Sequence, residues 1–122
     1  MPAKPPIPIF RSFDEAQAKA FYVGFLGFAV DWEHRFEPGT PLYMQVSLQG
    51  CVLHISEHFG DASPGGHLRI AIDDVAGYCA LLNGKKYRNA RPGFQVMPWG
   101  TTDMTIADPF GNRLTFYAEA AR

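Results

Sequence analysis

The feature that most constrains this chain is an approximate internal repeat. A strand, a helix and several extended segments run through the first half, and the same order recurs sixty residues later. Asp14 maps onto Asp74, Ile9 onto Arg69 and Ile7 onto His67. Residue identity between the halves is low; element order is what repeats. The first half opens with a short strand, Ile7 to Arg11, in which Pro8 indicates an edge or a strand start. Asp14 suits a helix N-cap, and Gln17 three residues on completes a capping-box-like pattern. The helix runs through Ala18, Phe21, Tyr22 and Phe25, and Gly27 stands where a C-cap glycine belongs. Extended segments follow at Phe28 to Arg35, Leu42 to Leu48 and Cys51 to Ser56, with Gln49-Gly50 as a tight turn between the last two.

The second half opens on the alternating run His67 to Ile72. Asp74 caps a helix through Val75, Tyr78, Leu81 and Leu82, which Gly84 ends. Phe94 to Met97 precedes the closing strands, Thr101 to Ala107 and Arg113 to Ala118. Pro109, Gly111 and Asn112 supply the turn between them. Gly60 to Gly66 has linker composition. We expect one domain over 1–122, built from modules at about 7–59 and 66–118. A βαβββ unit has one helix to cover one sheet face, so its other face needs a second module or a ligand. The fold class expected is α+β, with two βαβββ modules forming curved mixed sheets around a cleft.

The remaining sequence properties narrow the function classes. A chain of 122 residues, 47% hydrophobic, can bury a core. No apolar run is long enough to span a bilayer, and Met1 to Pro6 lacks the apolar middle of a signal peptide. A net charge of −1, with both signs mixed along the chain, argues against nucleic acid. Cys51 and Cys79 fall inside apolar segments and form no CxxC pair, which reads as buried free thiols and a cytoplasmic setting. Trp99, beside Gly100 at the mouth of the closing hairpin, suits stacking on a flat ligand or a place in the core beneath the hairpin. Trp32, in an alternating strand, reads as core.

The paired βαβββ plan, Asp14-x-x-x-Ala18-x-x-Phe21-Tyr22 with Leu26-Gly27-Phe28, and Asp108-Pro109-x-Gly111-Asn112 resemble the vicinal oxygen chelate superfamily. That superfamily includes glyoxalase I, extradiol dioxygenases, fosfomycin-resistance thiol transferases and bleomycin-resistance proteins. Pro98-Trp99-Gly100 just before the turn, and Ile7-Pro8-Ile9, are most similar to the bleomycin-resistance branch. The resemblance implies the glyoxalase/bleomycin-resistance-like fold and a homodimer with ligand clefts. It implies Trp99 as a ligand contact, and Phe36 as the counterpart of an aromatic that stacks on the drug. His54, His67, Arg69, Phe59 and Thr115 complete the expected ligand-binding set.

The resemblance also implies where the enzymes of the superfamily hold metal. Those positions fall on Ile7, His54, His67 and Thr115, and the last carries a carboxylate in the enzymes. An isoleucine and a threonine leave two imidazoles. One reading has His54 and His67 line the cleft and donate hydrogen bonds, with no cofactor. The other adds Glu57 or His58 and holds a divalent metal, for a lyase, isomerase or dioxygenase. Arg69 carries a guanidinium where the branch has an aromatic, which favours an anionic or carbonyl-rich ligand. The expected function is non-catalytic sequestration of a small aromatic or glycopeptide-type ligand, bleomycin-like, with no nucleic-acid or membrane partner. The alternative is the metal-dependent enzyme, and a third reading is a structural or sensor dimer.

Overall fold

An aspartate starts each helix. The Asp14 carboxylate accepts the Gln17 backbone N–H at 2.9 Å, and Asp74 does the same for Gly77 at 2.9 Å. Each satisfies a donor that the helix itself leaves open. In the computed structural model, which describes residues 2–119, the elements around these caps follow the order anticipated from the repeat. They are β1 (Ile9–Arg11), α1 (Glu15–Lys19), a π-helical segment (Ala20–Phe25), β2 (Ala29–His34), β3 (Tyr43–Leu48) and β4 (Cys51–Ser56). Then come β5 (His67–Ala71), α2 (Val75–Gly84), β6 (Gln95–Val96), β7 (Thr101–Ala107) and β8 (Arg113–Glu119). The chain forms two compact units that divide between Pro64 and Gly65. Among the described residues, no helix is long and apolar enough to cross a membrane.

Each unit holds one four-stranded mixed sheet, ordered β1-β4-β3-β2 in the first and β5-β8-β7-β6 in the second. In both, the opening strand runs parallel to the last, and the other pairs are antiparallel. The opening strand of the first unit is shorter than expected, although the Pro8 carbonyl still accepts the His54 N–H at 2.9 Å. Gln49 and Gly50 have φ of 47° and 91°, the pair of positive values that a two-residue hairpin turn needs.

One face of each sheet is dry. In the first unit Phe10, Met44, Val46, Leu53 and Ile55 are buried, as are Ala18, Phe21, Tyr22 and Phe25 of the helical segments. The Leu26 N–H reaches back five residues to the Phe21 carbonyl at 2.9 Å, which makes this stretch π-helical. Periodicity did not anticipate that widening. In the second unit Ile70, Met104, Ile106, Leu114 and Phe116 are buried, as are Val75, Cys79 and Leu82 of α2. Leu81 is 58% exposed, whereas Cys79 is buried as expected. The positive φ after α2 falls on Lys86 (54°) rather than on Gly84. Cys51, expected buried, is only half-buried, and both cysteines are free.

Strand parity assigns the opposite faces. Ile9, Arg11, Tyr43, Gln45 and His54 share the open face of the first sheet. His67, Arg69, Asp103, Thr105, Thr115 and Tyr117 share that of the second.

Candidate functional site

A β-bulge shapes the open face of the first sheet. Val30 pairs with Val46, yet Trp32 pairs with Gln45, so one extra residue enters β2. Such an insertion puts two adjacent residues opposite one on the partner strand. Asp31 lies on the open face, where alternation from Ala29 already places it, and accepts from Gln45 Nε2 at 3.1 Å and Ser47 Oγ at 3.0 Å. Trp32 follows it. The expectation of a core tryptophan fails here because the bulge reverses the parity on which it rested. Trp32 is 43% exposed.

Around Trp32 the face is aromatic. Its ring lies parallel to Tyr43 with centroids 6.0 Å apart, and edge-on to His54 at 5.3 Å. Phe36 stands edge-on to His34 at 4.9 Å and to His58 at 5.9 Å. Trp32, His34, Phe36, Tyr43, His58 and Asp61 line an open recess of about 370 Å³. Phe36 is 76% exposed, although an aromatic of that size normally buries much of its surface. Phe59 lies apart, 95% exposed, in a second recess with Arg11, Phe13 and Pro64.

His54 lies between two strand neighbours. Its Nδ1 is 2.6 Å from the Tyr43 hydroxyl, and its Nε2 is 3.1 Å from Gln45 Oε1. Burial, with the Asp61 charge as a second cause, raises the Tyr43 pKa, so that hydroxyl stays a donor. Nδ1 then accepts, and Nε2–H donates to Gln45. Burial lowers the His54 pKa, which favours the same neutral tautomer. The folded chain thus takes up a proton at His54 less readily than the unfolded chain. Stability from this group is complete above about pH 6.5 and is lost as pH falls through the lowered folded value. Urea midpoints measured from pH 8 to pH 5 are expected to fall more steeply for the wild type than for His54→Gln. Parallel curves would count against this role.

The second unit has a polar open face. Thr115, only 2% exposed, lies between Arg69 and Thr105 in the ladder. Its hydroxyl is 2.7 Å from His67 Nε2 and 2.7 Å from the Thr105 hydroxyl. Arg69 donates to both oxygens of Asp103, at 3.0 and 3.4 Å, and its guanidinium carbon stands 4.5 Å from the Tyr117 ring centroid. The hydrogen bonds from Arg69 hold the Asp103 carboxyl below the usual carboxylate range. The charge of Arg69 is therefore met within its own sheet, which removes the expected preference for an anionic ligand. Trp99 is 64% exposed and not in the core, and its Nε1 donates to Thr101 Oγ1 at 2.8 Å.

The structure thus brings Phe36 together with Trp32, Tyr43 and His58 in the first unit, with His54 under the same rings. In the second unit it joins His67 to Thr115, and Arg69 to Trp99 through Asp103 and Thr101. The sequence reading did not single out His34, Tyr43, Thr101 or Asp103 as part of a site. For Tyr43 a signal existed: it shares strand parity with Gln45, and its partner strand carries His54 two residues from the facing position.

The superfamily's metal positions can be tested against this chemistry. Ile7 has no lone pair, and both nitrogens of His54 are already hydrogen-bonded. Glu57, the candidate third ligand, accepts the Leu42 N–H at 2.8 Å, and the His58 ring packs edge-on to Phe36. Among the described residues, no three His, Cys, Asp or Glu side chains gather as a metal-holding group. This donor set does not fit a catalytic metal, which wants about three protein ligands.

A family profile described as "Glyoxalase superfamily protein" matches residues 3–121. No curated protein matches the chain. Among solved structures, a bleomycin-binding protein complexed with bleomycin is similar at 21% identity and a TM-score of 0.71, over 96% of this chain and 99% of that one. TnmS3, an antibiotic binding protein from Streptomyces sp. CB03234, is 25% identical with a TM-score of 0.69, over 98% and 100%. A member of the glyoxalase/bleomycin resistance protein/dioxygenase superfamily from Sphaerobacter thermophilus DSM 20745 is 21% identical with a TM-score of 0.70, over 96% and 98%.

Proposed function

The chain belongs to the glyoxalase superfamily, and on that premise we propose that it binds and sequesters a small ring-bearing molecule of the glycopeptide-antibiotic kind without chemically altering it. The observation that carries this reading is the recess of rings at Trp32, Phe36 and Tyr43, the first two exposed and the third half-buried. Aromatic side chains left in water on a sheet face offer stacking surface to a planar ligand, and a few polar groups orient it. His34, His58 and Asp61 are those groups here. Asp61 also accepts the Ser56 hydroxyl at 2.6 Å, which holds its carboxylate in place. Among the described residues that line the recess it is the one carboxylate and there is no Lys or Arg, which suits a neutral or cationic ring system. The antibiotic-binding proteins of like fold support the same ligand class.

Catalysis has no comparable support. Two of the four metal positions of the superfamily's enzymes carry an isoleucine and a threonine, the two imidazoles that remain are already hydrogen-bonded, and the Thr115 hydroxyl is taken up by His67 and Thr105. Stoichiometric capture needs only the recess. The proposal includes a homodimer, the assembly implied by the resemblance.

A thermal-shift titration tests the binding. A ligand that binds only the folded chain stabilises it by about 2.7 kcal/mol at a hundred times its Kd. Metal-free and copper-loaded bleomycin are the probes, and a Tm rise of several degrees is expected with at least one of them. No shift with either, at concentrations well above that of the protein, would sink the antibiotic version.

A further inference from the structure

Trp99, in the second unit, is one of the exposed aromatics that the recess of the binding reading does not include. Trp99 occupies the tight turn between β6 and β7. The Met97 N–H bonds the Thr101 carbonyl at 2.7 Å, the Gly100 N–H bonds the Met97 carbonyl at 3.0 Å, and Gly100 has a φ of 100°. A tryptophan on such a turn, 64% exposed, would ordinarily sample several rotamers.

Here it is tied down by a relay. The indole N–H donates to Thr101 Oγ1 at 2.8 Å, and the Thr101 hydroxyl donates to Asp103 Oδ1 at 2.7 Å. Asp103 in turn takes both Arg69 hydrogen bonds, and its side chain is only 9% exposed. One hydroxyl can accept from the indole and donate to the carboxylate at once, so the directions are consistent. Because Asp103 accepts and cannot donate when ionised, it forces the Thr101 hydrogen toward itself and turns a Thr101 lone pair to the indole.

We infer that Asp103 is a positioning residue for ligand binding, setting the Trp99 indole through Thr101 and linking it to the Arg69 guanidinium. This rests on the binding reading above and adds the Trp99 indole as a further stacking surface. An indole held in one orientation before the ligand arrives loses less freedom on stacking, so affinity rises. Asp103 need not touch the ligand.

Trp99 is the sole tryptophan in a Trp32→Phe background, because the chain has two. There, time-resolved fluorescence anisotropy reads the freedom of the indole with no ligand present. Thr101→Val removes the relay hydroxyl at nearly constant shape and leaves Asp103 with Arg69. We expect faster local motion of Trp99 in Thr101→Val and in Asp103→Ala, no further increase in the double variant, and wild-type behaviour in Thr101→Ser. If Asp103→Ala does not fold, Thr101→Val still decides. Unchanged anisotropy in Thr101→Val overturns the inference. In the chain that retains Trp32, Thr101→Val is expected to weaken binding of metal-free bleomycin about five- to tenfold. Equal affinity, with the indole freed, overturns the ligand half of the inference. A wild-type chain that binds no bleomycin removes the reading beneath it, whereas the anisotropy result stands or falls separately.

Discussion

Asn112→Ala is expected to destabilise the fold by about 2–4 kcal/mol, one of the two largest effects anticipated for a single substitution. Asn112 is fully buried in the turn between β7 and β8. Its Oδ1 accepts the backbone N–H groups of Gly65 and Gly66, at 3.2 and 3.4 Å, and its Nδ2 donates to Asp108 Oδ2 at 2.9 Å. Asp108 Oδ1 accepts the N–H groups of Phe110 and Asn112 at 2.8 and 2.9 Å. The side chain therefore ties the residues just before β5 to the turn that begins β8, the strand with which β5 pairs. Alanine would remove the acceptor of two backbone N–H groups and a buried donor to Asp108, at about 1–3 kcal/mol for a buried group left unsatisfied. Asn112→Asp should be at least as harmful, because it loses the donor and sets a second negative charge beside Asp108. Urea unfolding measures both variants. A loss below 1 kcal/mol for Asn112→Ala would mean that water replaces the amide without difficulty.

The largest functional effect is expected from Trp32→Ala. Buried aromatic anchors commonly carry 2 kcal/mol or more of a binding free energy, so affinity for bleomycin should fall by roughly thirtyfold or more. Stability should change little by comparison, because 43% of the residue is already in water. Calorimetric titration of wild type and variant, with unfolding curves as a control, separates the two. Affinity within threefold of wild type would show that the ligand does not use this recess. Phe36→Ala should act in the same direction with a smaller loss, since a phenyl ring is a smaller stacking surface than an indole.

Much of the fold could be read from the chain because the signals are local. Asp14 and Asp74 cap helices through N–H groups three residues away. Alternation marked the strands, and Gln49-Gly50 marked its hairpin. Errors arose where a local rule was broken by one residue. A single extra residue at Asp31 carried Trp32 from the expected core to the open face. A single extra residue per turn made the end of the first helical stretch π-helical and left its buried stripe at Ala18, Phe21, Tyr22 and Phe25 unchanged. Neither insertion has a periodic signature, so periodicity passes over both. In α2, Leu81 is the more apolar residue but Cys79 lies on the inner side, because helix rotation follows from what packs against it.

The candidate site divides in the same way. Trp99, Phe36, His54, His67, Arg69, Phe59 and Thr115 are candidates from the chain by resemblance to positions of the family. What each does could not be named, because their partners are distant in sequence. Arg69 meets Asp103 34 residues away, and His67 meets Thr115 48 residues away. By itself the sequence determined the element order, the caps, the family and which strands alternate, all of which follow from residues a few positions apart. Only the tertiary structure decided that Trp32 faces water, that the charge of Arg69 is already answered, and that the Trp99 indole is held by Thr101. These depend on register between strands, and register comes from the closing of the sheet, not from any one segment of it.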